Sequence, residues 1–146
     1  SGDEAQIIRW TVDAATEFNG ANLFAMFVAN HQSDADNVPD LDQYAIVVQG
    51  GIFVSEDLEL IARYEWGDLD VAGVNDLSLL TVGSNKYFHG HRLKLSVDLG
   101  YAFNALNQVS VAGNTFGWTS SFSGWQPDAD GKDGQVVLRS QVQLIF

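Results

Sequence analysis

The chain contains no cysteine, which excludes a disulfide scaffold, a thiolate metal site and thiol catalysis. Basic residues are scarce. Seven Lys+Arg face 19 Asp+Glu, giving a formal net charge of -12 and excluding the basic face that a nucleic-acid binder needs. No window approaches the roughly 18 consecutive apolar residues of a membrane helix, and the acidic, polar opening SGDEAQ carries no signal-peptide pattern. What is present argues against disorder, with 46% hydrophobic and only 18% charged residues. A length of 146 fits one domain. A membrane is not excluded either, because a transmembrane β-barrel carries alternation in place of a long apolar run.

That alternation is the dominant signal. Ile8, Trp10, Val12, Ala14, Thr16 and Phe18 take one face of a strand and Arg9, Thr11, Asp13, Ala15 and Glu17 the other. Leu58, Leu60, Ala62, Tyr64 and Trp66 oppose Glu59, Ile61, Arg63 and Glu65. Leu93, Leu95, Val97, Leu99, Tyr101 and Phe103 oppose Arg92, Lys94, Ser96, Asp98, Gly100 and Ala102. Val136, Leu138, Val142, Leu144 and Phe146 oppose Arg139, Gln141 and Gln143. Successive strand side chains point to opposite faces, so each stretch reads as a strand with one apolar and one polar side. Segments 21–31, 43–54 and 77–88 also read as strands, with faces the pattern does not assign. The expected fold is all-β, with seven antiparallel strands at 6–18, 21–32, 43–55, 57–67, 77–88, 91–104 and 134–146.

The connectors alternate strictly between short (Asn19–Gly20, Ser55–Asp57, His89–Gly90) and long (Ser33–Asp42, Gly67–Asp76, Ala105–Gly134). Outer-membrane barrels have short periplasmic turns and long outer loops, so an up-and-down transmembrane barrel is expected. A soluble barrel with inverted faces shares the same alternation. Three features favour lipid. Aromatic residues on the apolar faces, Trp10, Phe18, Tyr64, Trp66, Tyr101 and Phe103, sit near strand ends as interface girdles do. Several strands have 11 to 13 residues, enough to span a bilayer when tilted. The chain also ends on an alternating strand with Val142, Leu144 and a terminal Phe146.

That ending, GQVVLRSQVQLIF, resembles the assembly signal of bacterial outer-membrane barrel proteins. The stretches IVVQGGIFVSEDLELIARYEWGDLD (46–70) and LLTVGSNKYFHGHRLKLSVDLGYAF (79–103) resemble the C-terminal portion of porins of the phosphate-selective O and P type, in the form carried by planctomycete-like bacteria. The resemblance covers about residues 7 to 146. It implies a barrel of sixteen or eighteen strands in the outer membrane of a Gram-negative-type envelope, inserted by the barrel assembly machinery, usually a homotrimer, passing small solutes passively.

Seven strands do not close such a barrel. With the last strand ending at the periplasm, the first would start outside, whereas a complete bacterial barrel has an even number. Residues 1–146 are therefore expected to be one C-terminal barrel segment of a longer porin. An eighth strand within 105–125 is the alternative, although that stretch fits better as a loop or as extensions of its neighbours.

The expected pore-lining residues are Arg9, Asp13, Glu17, Glu59, Arg63, Glu65, Arg92, Lys94, Asp98 and Arg139, five acids against five bases. The other acids fall in turns and loops. Phosphate selectivity, which the resemblance implies through a ladder of Lys and Arg, is weakened by the opposed acids. The loop acids Asp34, Asp36, Asp40 and Asp42 and the run DADGKDG (Asp128–Gly134) invite a calcium reading, but Lys132 and Asp133 break the EF-hand pattern. His89 and His91 are too few for zinc and read as turn residues. Glu59, Arg63 and Glu65 share a face, and a salt-bridge ladder explains them better than acid/base catalysis. The expectation is a porin, not an enzyme, with no metal or cofactor, partnered by membrane lipid and by small solutes or ions. The alternatives are a small barrel that adheres or anchors through its acidic loops, and a soluble ligand-binding barrel.

Overall fold

The computed structural model describes residues 6–33, 40–88, 92–111, 113–118, 123–128 and 130–144. It is all-β, with no helix among the described residues. Seven strands form one antiparallel sheet in the order β1 (Gln6–Phe18), β2 (Ala21–Ser33), β3 (Leu41–Ser55), β4 (Leu58–Asp68), β5 (Leu77–Phe88), β6 (Leu93–Ala102) and β9 (Gln135–Leu144). Each expected strand is present, with ends moved by a few residues. The sheet is open, so β1 and β9 are its two edges. Two short strands, β7 (Gln108–Val111) and β8 (Asn114–Gly117), form a separate hairpin. The described residues of 105–125 therefore neither add an eighth strand to the sheet nor lengthen β6 and β9; β7 and β8 pair with each other, and Gly113 between them has φ +84°.

The first turn shows how local chemistry sets the register. Asn19 and Gly20 both adopt positive φ, 44° and 78°, which is what a two-residue hairpin with right-handed strand twist requires. Phe18 consequently pairs with Ala21, and all thirteen residues of β1 find partners on β2. Between β3 and β4 the pairing slips at Phe53/Ser55, a bulge beside the turn.

Cross-strand partners share a face, so the registers resolve both sides of the sheet. One continuous row is Ala14, Ala25, Val48, Tyr64, Leu80, Tyr101 and Val136, and the next is Thr16, Leu23, Gly50, Ala62, Val82, Leu99 and Leu138. This face is apolar from β1 to β9. The opposite face carries rows such as Glu17, Asn22, Gly51, Ile61, Gly83, Asp98 and Arg139. The rows also slide in one direction. Ala14 is the ninth residue of β1, while Val136 is the second of β9.

Burial is inverted relative to a water-soluble sheet. On β3, β4, β5 and β6 every buried residue (Val47, Gly51, Glu59, Gly67, Leu79, Thr81, Gly100 and Ala102) lies on the polar face. The apolar face is open, with Leu99 47% and Leu138 72% exposed. Soluble monomers rarely leave contiguous apolar patches beyond a few hundred Å2 uncovered.

Candidate functional site: the polar face and its cap

Three glycines on the polar face act as seats for side chains arriving from elsewhere. At Gly51 a Cβ would stand 2.6 Å from Glu59 Oε1 and 2.8 Å from Asn22 Nδ2. The missing side chain lets Asn22 on β2 reach over β3 and donate to Glu59 Oε1 at 2.9 Å. On the far side Asn85 Nδ2 donates to Glu59 Oε2 at 2.9 Å, and the Tyr87 hydroxyl does so at 3.0 Å. Ser96 on β6 then donates to Asn85 Oδ1 at 2.6 Å. One buried carboxylate thus ties β2, β4, β5 and β6 together, with neutral donors taking both oxygens. Burying a charge is tolerable only when it is hydrogen-bonded in this way.

The other two seats, Gly67 and Gly100, hold the β6–β9 connection. Trp118 lies on Gly67, where a Cβ would be 2.6 Å from its ring, and Trp125 lies on Gly100, at 2.7 Å. Trp125 packs with Leu79, Ala102 and Leu106 in the buried apolar cluster, flanked by Leu77, Trp118 and Val137. The cluster sits on the polar side of the sheet, beneath this connection. Polar bonds hold the cap down. Arg139 reaches Asp98 Oδ1 through Nε and Nη2, both at 2.7 Å, and its Nη1 donates to the Ser123 carbonyl at 3.3 Å. The β4–β5 loop buttresses it, with Trp118 Nε1 donating to the Asn75 carbonyl at 2.9 Å and the Asn75 amide to Asn107 Oδ1 at 2.9 Å. Asn107 in turn donates to the Gly73 carbonyl.

Toward the long-loop end a third polar chain crosses the same face. Arg9 Nε donates to Asn30 at 2.8 Å, Asn30 to Gln43 at 2.8 Å, and Gln43 to the Leu69 carbonyl at 3.0 Å. At the short-turn end a pocket of about 300 Å3 is lined by Glu17, Asn22, Phe53 and the β1–β2 turn.

Of the residues singled out as pore-lining, Arg9, Asp13, Glu17, Glu59, Arg63, Glu65, Lys94, Asp98 and Arg139 all occupy polar-face register positions. Arg92 is instead in the turn before β6, since that strand begins at Leu93. These residues do not form one ladder. Asp98–Arg139 and the looser Arg63–Glu65 pair at 3.7 Å are separate units, Glu59 is held by amides and a phenol, and Asp13 and Glu17 have no ion-pair partner among the described residues.

Trp10, Phe18, Tyr64, Trp66 and Tyr101 occupy the apolar face. Phe103, just past β6, meets Tyr101 edge-on with ring centroids 4.9 Å apart. Phe27 and Tyr44, which the sequence pattern did not single out, belong to the same band: Trp10 and Phe27 lie 5.2 Å apart, Phe27 and Tyr44 6.1 Å. Val142 and Leu144 are also on the apolar face, while Phe146 lies outside the described residues, as do Asp34, Asp36, His89 and His91.

Several loop acids among the described residues are hydrogen-bonded within the chain. Asp128 accepts from the Asp130 and Lys132 amides at 3.0 and 3.1 Å, so backbone donors occupy its carboxylate. His31 and Asp42 are 2.7 Å apart, and the Asp42 amide donates to Asp70 at 3.0 Å. In the β3–β4 turn Asp57 takes bonds from Lys86 and, at 2.8 Å, from the Ser55 hydroxyl. The Lys86 ammonium, followed by Ser55, holds the Asp57 carboxyl below its ordinary value. Comparison with known protein families, curated proteins and solved structures gives no match.

Proposed function

We propose that this sheet is a stretch of the wall of an outer-membrane β-barrel, with its apolar face in lipid and its polar face on a water-filled lumen. Small hydrophilic solutes or ions pass through that lumen by diffusion. The carrying observation is the inverted burial: the apolar face lies largely bare, Ala29 on β2 being its one buried residue among those described, while the polar face holds the buried cluster and the hydrogen-bonded Glu59. Lipid satisfies the first of these conditions and water would not. Passive transport asks for no catalytic group, in keeping with a Glu59 whose oxygens are already occupied. The open edges fit a larger barrel. Unpaired backbone is not tolerated in hydrocarbon, so β1 and β9 each need a neighbouring strand. The seven strands alternate in direction, so β1 and β9 run the same way. An antiparallel closure therefore calls for an odd number of further strands.

The four tryptophans of the chain test this reading. Trp10 and Trp66 are on the apolar face, and Trp118 and Trp125 are on the polar side. In vesicles containing brominated lipid, single-tryptophan variants keeping Trp10 or Trp66 should be quenched, and those keeping Trp118 or Trp125 should not. Equal quenching of all four, or the reverse order, would overturn the assignment. The cap favours one competitor, a barrel that adheres or anchors and does not conduct. Conductance in planar bilayers separates the two.

A further inference from the structure

We propose that the outer edges of β1 and β9 each pair with the same strand of a second copy of this chain, closing a two-fold symmetric barrel. This deepens the reading above, on which it rests for an outward apolar face, by naming the neighbours of the two edges. A second copy brings seven strands, an odd number, which is what antiparallel closure asks for. Two identical strands related by a two-fold axis normal to the sheet run antiparallel and keep their apolar sides together. β1 carries the charges to choose such a pairing. Every residue of it is exposed. On its polar face Asp13 lies opposite Met26 of β2, and Arg9 donates to the Asn30 amide oxygen. Neither has an ion-pair partner among the described residues, so both are open to a strand arriving on the outer side. With Thr11 on the axis, Arg9 stands opposite Asp13 of the second copy and Asp13 opposite its Arg9. On the apolar face Trp10 then meets Val12 and Ile8 meets Ala14, and aromatic and β-branched cross-strand pairs of this kind stabilise sheets.

Other registers of β1 do worse. A slip of one residue sets polar against apolar faces. Centring on Asp13 opposes two carboxylates, and centring on Trp10 or Val12 leaves both charges without an ionic partner. On β9, centring on Ser140 sets Leu138 against Val142 and Val136 against Leu144, whereas centring on Arg139 would oppose two guanidinium groups. These two junctions continue the slide of the sheet in its own direction. One circuit of both copies moves the register by fourteen residues over fourteen strands. At about 3.3 Å per residue and 4.8 Å between strands, this inclines the strands by about 35°, within the roughly 35–45° of closed barrels. The register that the β1 charges select is thus one at which the wall closes. The two-fold axis lies in the membrane plane, so each rim carries the long connections of one copy.

The chain has no cysteine, so a single introduced thiol reports alone. With the full chain in detergent micelles and in vesicles, Thr11→Cys and Ser140→Cys should each give a disulfide-linked dimer under mild oxidation. Thr16→Cys should not, because its two copies stand about 30 Å apart along the strands in this register. Within the Thr11→Cys chain, Arg9→Asp or Asp13→Arg should each cut the linked fraction several-fold, and the two together should restore it. Linkage at Thr16 equal to that at Thr11 refutes the pairing. So does an absence of linkage at Thr11, including the case where another strand shields Thr11→Cys from a thiol reagent. A double reversal that fails to restore linkage refutes the register. Quenching of Trp10 by brominated lipid reads the lipid placement separately. Quenching without linkage keeps that placement and removes the second copy, and linkage without quenching does the reverse.

Discussion

At the residue scale, Gly51 and Glu59 work as one unit. A side chain at 51 displaces either the carboxylate or Asn22. Gly51→Ala should therefore destabilise the sheet by about 1–3 kcal/mol, the range for overpacking a filled site. Glu59→Leu should cost a similar ~1–3 kcal/mol because it removes the acceptor that the Asn22 and Asn85 amides share. Denaturant unfolding in detergent micelles, followed by circular dichroism, measures both, and a neutral Gly51→Ala would refute the seat. Asp57 adds a pH dependence at the turn. A carboxyl that is more acidic when folded stabilises the fold above its unfolded value, and the contribution disappears as pH falls through the lower folded value. The melting temperature of Asp57→Asn should therefore lie below that of the wild type at pH 7, and the two should converge as pH drops below the ordinary 3.8.

At the element scale, the β1–β2 hairpin depends on two residues at positive φ. Gly20→Val should cost about 1–2 kcal/mol, the left-handed penalty for a residue with a Cβ. Loss of amide protection near Phe18 and Ala21 would report it in hydrogen exchange. The strands themselves were legible in the amino-acid pattern, but their faces were legible only on β1, β4, β6 and β9. On β2 the polar face also carries Phe24, Met26 and Val28, and on β5 it carries Leu77 and Leu79. Those apolar residues blur a period of two. Leu79 and Leu77 pack against Leu106, Trp118 and Trp125, and nothing in a local pattern announces a cover arriving from so far along the chain. The glycine seats escaped for the same reason. A glycine in a strand reads as a weakness until the side chain that needs its space is known. Phe27 and Tyr44 were missed because the strands bearing them had no assigned face.

At the scale of the whole molecule, the edges make the prediction. A seven-stranded sheet with β1 and β9 unpaired should associate when purified alone in detergent. A monodisperse monomer with protected amides along the outer edge of β1 would count against a place in lipid. The steady slide of the rows has a consequence of its own. A slip of four to seven residues across six strand spacings, at about 3.3 Å per residue and 4.8 Å between strands, inclines the strands by about 25–40°. The shortest strands of the sheet, β6 and β9, have ten residues each. At that inclination ten residues climb about 25–30 Å, close to the height of a barrel's apolar band. Over their described residues those two strands therefore come nearest to that height. If the sheet is a barrel wall in lipid, as proposed above, removing one outward–inward pair from either should leave it locally too short for the apolar slab, where the thirteen residues of β1 or β2 would absorb the same loss.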